Sequence, residues 1–204
     1  MSEGKSIGVF GGTFDPIHNT HLKIARTALE AAGLDLVLFV VAARPPHKEG
    51  DTYATAEQRL AMVRAAVERE PKLEASDLEL KRSGPSYTKE TLIELETAFP
   101  NARFWLIMGL DSLVDFPNWR EPENIVSQAK LLVVPRPGAD KQLPSMLEGR
   151  YEMLPSSESE LSSTEVRGRI SSGKDVHELV PRGVAELIRE EGIYRGIAAD
   201  RPGG

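Results

Sequence analysis

Short continuous apolar runs alternate along the chain with stretches in which apolar residues recur at helical spacing. Residues 7–10 form one such run, closed by Gly11-Gly12, and Leu36–Val41 is apolar at every position. A run of that kind marks a parallel strand covered on both faces. Between them Leu22, Ala25, Ala28, Leu29 and Ala32 predict a helix over 21–32, with Gly33 as its C-terminal stop. A polar loop over 43–53 follows, and Thr55 with Gln58 forms a capping box opening a helix that runs to about residue 70. Leu78 and Leu80 predict a short alternating strand. Residues 88–99 predict a helix with Leu92, Ile93 and Leu95 as core contacts. Two further buried strands fall at 104–108 and 131–134. The segment 111–129 separates them, with Pro122 suited to the first turn of a short helix. Residues 151–154 predict a last strand, 163–170 and 181–191 two C-terminal helices, the second closed by Gly192, and 198–204 a frayed tail.

Strands alternating with helices predict an α/β fold: a doubly wound, mainly parallel, Rossmann-like sheet with helices on both faces and a small helical C-terminal portion from about residue 162. A single domain spans 1–204, ordered over about 7–194. Ligands of such sheets bind outside the carboxyl ends of the strands, so the loops beginning at Gly11, Ala42, Gly109 and Arg136 are expected to share one cleft.

Composition narrows the function. The 25 basic residues against 31 acidic give a net charge of −6, which argues against general nucleic-acid binding while leaving room for a small phosphorylated ligand. The chain has no cysteine, which excludes disulfides, thiolate zinc sites and a Cys nucleophile. No apolar run reaches membrane-spanning length, and no signal-peptide core precedes the first strand. The expectation is a cytoplasmic protein without nucleic-acid or membrane partners; a homo-oligomer is left open.

The stretch Gly11-Gly12-Thr13-Phe14-Asp15-Pro16-Ile17-His18-Asn19-Thr20-His21 carries the most chemistry. Two glycines after a strand let backbone approach a ligand, and the following helix start offers N–H groups to phosphate. His18 and His21, three apart, share a helical face and can reach one phosphoryl group. Further on, Ser162, Ser163, Thr164 and Arg167 stand at a predicted helix start, where hydroxyls, amides and a guanidinium can converge on phosphate oxygens. Taken alone, that cluster reads more readily as an ordinary Ser/Thr N-cap with a solvated arginine. Asp111, just after Gly109, is either a ribose-binding carboxylate or a helix cap.

The stretch from Gly11 to His21 resembles the signature of bacterial nicotinate-nucleotide adenylyltransferases. The resemblance extends through Pro45-Pro46-His47-Lys48, Pro85-Ser86-Tyr87-Thr88, Gly109-x-Asp111-Ser112 with Trp119, Ser162-Ser163-Thr164-x-x-Arg167 and Gly192-Ile193-Tyr194. It implies direct attack of the mononucleotide's phosphate on the α-phosphorus of ATP, with no covalent enzyme intermediate. It implies His18, His21, Lys48 and Arg167 as catalytic residues. ATP would meet Gly11, Gly12, Thr13, Phe14, Gly109, Asp111, Ser162, Ser163, Thr164 and Arg167. Nicotinate mononucleotide would meet Thr13, His47, Lys48, Thr88, Trp119 and Arg120. Mg²⁺ is implied as a companion held mainly by ATP phosphates, with no dedicated protein metal site.

The chain departs from the family's pattern twice. Thr20 replaces the usual glycine before the second histidine, and Arg120 replaces the aromatic residue often found after Trp119. Two other functions stay in view: adenylylation of a different phosphate such as phosphopantetheine, and nucleotide sensing without turnover.

Overall fold

The computed structural model describes residues 4–44, 52–135, 143–155 and 161–197. Six parallel strands form one sheet: β1 (Ser6–Gly12), β2 (Leu36–Val41), β3 (Leu73–Ser76), β4 (Arg103–Gly109), β5 (Ala129–Val134) and β6 (Tyr151–Met153). Their order is β3-β2-β1-β4-β5-β6, the doubly wound arrangement whose direction reverses between β1 and β4. Around the sheet lie α1 (Asn19–Ala31), α2 (Ala56–Val67), α3 (Thr88–Ala98), α4 (Leu110–Asp115), α5 (Pro122–Gln128), α6 (Ser163–Ser171) and α7 (Arg182–Glu191).

Strand β2 shows why both faces are covered. Val37, Phe39 and Val41 join a core built with residues of α1, α2, α6 and α7. Leu36, Leu38 and Val40 join the opposite core with residues of α3, α4 and α5. The two-residue period sends alternate side chains into different layers, so an apolar residue is required at every position.

Three expectations needed correction. Leu78 and Leu80 belong to a 3-10 turn, Leu78–Lys81, and the strand is the preceding Leu73–Ser76. Ile93 is 44% exposed, while Leu92 and Leu95 do pack in the core. The α2 helix stops at Val67 rather than near residue 70, although Thr55 and Gln58 form the reciprocal cap as read. The expected tail over 198–204 and the loop at Arg136 lie outside the described residues.

Candidate active site

A cavity of about 710 Å³ opens at the switch point, lined by Gly11, Gly12 and Thr13 from the end of β1 and by Gly109 from the end of β4. A Cβ built on Gly11 or Gly109 would meet no protein atom within 4 Å, so packing does not dictate glycine there; the bare backbone faces open cleft. Gly12 differs, because its Cβ would fall 2.7 Å from the Phe14 ring. Phe14 itself has a φ of 50° and is only 4% exposed. Its ring packs edge-on against Phe10, Phe39 and His21 at centroid separations of 5.7, 5.5 and 5.2 Å. The side chain expected beside a nucleotide is therefore a core aromatic, and only its backbone is left to face the cleft.

Two buried ionisable residues hold this loop. The Asp15 carboxylate accepts from Tyr53 N–H at 2.8 Å, from Ala54 N–H at 3.1 Å and from the Tyr194 hydroxyl at 2.7 Å. Burial and the neighbouring Asp15 charge push the Tyr194 phenol well up from its ordinary value, so it stays a donor. Arg59, 1% exposed, donates to the carbonyls of Thr13 at 2.8 Å, Ala42 at 2.7 Å and Ala54 at 3.3 Å. One guanidinium thus ties the loop after β1 to the loop after β2. Burial draws its pKa down while Asp15 opposes the shift.

His18 caps α1 and His21 follows as its third helical residue. Their rings stack at 3.7 Å between centroids, so the shared face read from the spacing is realised. His21 Nδ1 accepts the His18 backbone N–H at 3.2 Å. Helix starts of this kind are ordinarily solvent-facing, but His18 is 4% exposed. Burial pushes its pKa down to about 4, and burial together with the His18 neighbour pushes that of His21 well down. Both imidazoles are neutral at pH 7. His18 Nδ1 is buried with no hydrogen-bond partner among the described residues, the kind of orphan a ligand satisfies. Thr20 is 8% exposed, so it does not point out to solvent, and it does not line the cavity.

The start of α6 docks on the same loop. Ser162 caps the helix by accepting from Glu165 N–H at 3.2 Å, and Ser163 Oγ donates to the Pro16 carbonyl at 2.9 Å. Arg167 donates to the Asp15 carbonyl at 2.8 Å and to Thr164 Oγ1 at 3.2 Å, with its guanidinium 4.6 Å from the Tyr53 ring centroid. Arg167 is therefore anchored, not solvated, and the residues before the histidines touch it directly. Asp111 lies in the first turn of α4, where Gly109 rather than Asp111 is the cap.

The opposite wall of the cavity carries Ser86, Tyr87, Thr88, Trp119 and Arg120. Ser86 Oγ accepts from Ala43 N–H at 3.1 Å, which fixes this wall against the loop after β2. Tyr87, not Thr88, caps α3; Thr88 is the first helical residue, with its hydroxyl free of that task. Trp119 is half-buried and leans on Phe116, ring centroids 5.2 Å apart. The Arg120 guanidinium lies 4.7 Å over the Tyr87 ring and 3.9 Å from Glu90, so it bridges to α3.

The cavity unites Gly11, Gly12, Thr13, Gly109, Thr88, Trp119 and Arg120, whereas the histidines and the α6 cluster lie outside its lining. His47 and Lys48 fall outside the described residues. Arg59 and the cavity-lining Glu79 escaped the sequence reading, and Asp15 and Tyr194 stood in its motifs without a role. Arg59 left one signal: it sits at helical spacing with Val63 and Ala66 on the stripe that α2 buries. No group of three or more His, Asp or Glu residues among those described could hold a metal ion.

A parallel sheet with an open, glycine-edged cleft at its switch point and a histidine pair at the adjoining helix start defines a doubly wound α/β protein built to bind a ligand at the carboxyl ends of its strands. The cytidylyltransferase-like family matches residues 9–169. The probable nicotinate-nucleotide adenylyltransferase of Thermus thermophilus is 44% identical over 191 residues, covering 93% of this chain and 99% of that one. That of Clostridium tetani is 37% identical over 199 residues, covering 94% and 100%. Among solved structures, Plasmodium falciparum nicotinic acid mononucleotide adenylyltransferase complexed with NaAD superposes with a TM-score of 0.75 at 20% identity, over 93% of this chain and 97% of that one. The chain belongs to the cytidylyltransferase-like nucleotidyltransferases and, among them, to the nicotinate-nucleotide adenylyltransferase family.

Proposed function

We propose that the chain transfers the adenylyl group of ATP to nicotinate mononucleotide, giving deamido-NAD and pyrophosphate. The observation that carries this reading is the open cleft at Gly11 and Gly109 facing a wall of Thr88 and Trp119. Bare backbone admits a nucleotide, and a half-buried indole offers a flat face for a pyridine ring. In the reaction a phosphate oxygen of the mononucleotide forms a bond to the α-phosphorus of ATP. The bond from that phosphorus to the bridging oxygen breaks, and pyrophosphate leaves with the electron pair. No side chain need form a covalent bond, so the protein's task is positioning and charge stabilisation.

The neutral histidines act as hydrogen-bond donors in this scheme. With Nδ1 of His21 accepting a backbone N–H, its proton is on Nε2, available to a phosphate oxygen. Arg167, Ser162, Ser163 and Thr164 hold the departing phosphates, and Lys48 with His47 meets the mononucleotide. Asp111 meets the ribose of ATP. Mg²⁺ would be held by phosphate and water oxygens and would supply neutralisation of phosphate charge.

Preference for the acid over the amide comes from donors. Nicotinate presents two acceptor oxygens to Thr88 and to the backbone after Trp119, whereas the amide's NH₂ would face those donors unpaired. The test is pyrophosphate release from ATP with nicotinate mononucleotide, nicotinamide mononucleotide and phosphopantetheine in parallel. The acid mononucleotide is expected to give the highest kcat/KM. Faster turnover of phosphopantetheine, or binding of ATP without turnover of any of the three, overturns the reading.

A further inference from the structure

We propose that Glu79 is the counter-charge for the pyridinium ring of the mononucleotide, a specificity-determining carboxylate that selects the cationic ring over its uncharged dihydro form. The inference rests on the reading of the cavity as the mononucleotide's and adds the charge that the cavity is built to receive.

Glu79 sits in the 3-10 turn Leu78–Lys81, is 7% exposed and lines the cavity together with Thr88 and Trp119. A buried carboxylate is ordinarily matched by a cation within hydrogen-bond reach, because an uncompensated charge is costly to desolvate. Among the described residues, Glu79 Oε1 accepts from the Thr91 hydroxyl at 2.5 Å. The guanidinium that approaches it, Arg82, stands 4.0 Å away and is engaged by Glu94 at 2.8 Å. Among the described residues two carboxylates share this one guanidinium, which leaves the trio one negative charge in excess, and Glu79 is the member that lines the cavity. The other charges of this wall pair with each other: Arg120 with Glu90 at 3.9 Å, and Lys89 with Glu121.

Thr91 lies three residues after Thr88 on α3, one turn along the same face. A ring that carries a positive nitrogen relieves the excess charge on entering; a dihydropyridine of the same shape does not. Trp119 attracts the cation as well, through its face, so the indole and the carboxylate act on the same charge.

The experiment measures, by calorimetry, the affinity of the protein for nicotinate mononucleotide and for its 1,4-dihydro form, which share ribose, phosphate and carboxylate. Wild type, Glu79→Gln and Glu79→Asp are compared, each with its melting temperature. Wild type is expected to bind the oxidised form more tightly. Glu79→Gln, whose amide oxygen still accepts from Thr91, is expected to narrow that ratio about tenfold, the size of a charge–charge attraction across a cavity at intermediate dielectric. Glu79→Asp, which keeps the charge, restores most of it. Equal weakening of both forms by Glu79→Gln, or a lowered melting temperature with the ratio intact, overturns the assignment and leaves Glu79 a hydrogen-bonding or structural residue. Should Glu79→Gln not fold, wild type decides: binding the dihydro form at least as tightly overturns the inference. Wild type that binds neither form overturns the reading of the cavity itself.

Discussion

The side chain of His21 is oriented by the backbone of His18: Nδ1 of one accepts the amide N–H of the other at 3.2 Å. The helix start thereby uses one ring nitrogen as an internal cap and presents the other as a donor, with the tautomer fixed by the fold rather than by the ligand.

Replacing either histidine with alanine is expected to lower kcat by roughly 10²–10³, the cost of losing one donor to charge that shifts in the transition state. Because His18 is 4% exposed, its replacement should also lower the melting temperature, unlike the loss of a surface residue. Pyrophosphate release and thermal unfolding measured on the same preparations separate the two effects. Near-normal turnover by both variants would remove the histidines from the chemistry.

The same burial predicts a pH dependence. An unfolded histidine titrates near 6.5, whereas His18 in the folded chain titrates at about 4 and His21 well below its ordinary value. Between those limits the unfolded state binds more protons, so stability rises with pH. This contribution is complete above about 6.5 and is lost as pH falls toward 4. A His18→Asn/His21→Asn variant should show a flatter urea-unfolding profile over that window than wild type; superimposable slopes would refute the buried neutral pair.

Arg59→Met should destabilise the protein strongly. The carbonyls of Thr13, Ala42 and Ala54 lose their donor, at about 1–3 kcal/mol for each buried group left unpaired. Arg59→Lys should recover only part, since an ammonium lacks the planar fork that reaches two loops. Urea midpoints are the measurement, and an unchanged midpoint in the methionine variant contradicts the clamp.

Arg167→Ala should raise the KM for ATP more than that for the mononucleotide and reduce turnover, with lysine rescuing partly. The link to the Asp15 carbonyl adds a second expectation: a modest loss of stability even without ligand. Unchanged ATP kinetics would make the residue a purely structural tie between α6 and the first loop.

Trp119→Ala is expected to raise KM for the acid and amide mononucleotides together, leaving their ratio nearly intact, because stacking attracts either pyridinium. Arg120→Ala should shift that ratio by no more than about twofold. The guanidinium is already occupied by the Tyr87 ring and Glu90, and half-exposed ion pairs are weak. A large fall in acid preference in the Arg120 variant would show that the side chain leaves α3 when substrate binds.

What the sequence reveals here depends on whether a residue's role is local. Leu36–Val41 is legible because both faces of one strand are buried, and the Thr55 cap because its partner lies three residues on. Strand β3 was missed because only Leu73 of its four residues is buried, while Leu78 and Leu80 imitate alternation within a turn. Asp15 and Arg59 were invisible as organisers because charged residues are ordinarily read as solvated. Their partners, Tyr194 and the carbonyls of two separate loops, come together only through the fold. Glu79 was hidden within the misread strand.

The bond from Tyr194 to Asp15 joins positions 179 residues apart. During synthesis the loop at Asp15 is made long before Tyr194, so its buried carboxylate lacks this donor until the whole sheet and α7 have followed. The loop that follows β1 is thus finished only once α7 has been made, although its own residues come far earlier in the chain. A partly synthesised chain that lacks α7 holds the Asp15 carboxylate through the N–H groups of Tyr53 and Ala54 without the phenol.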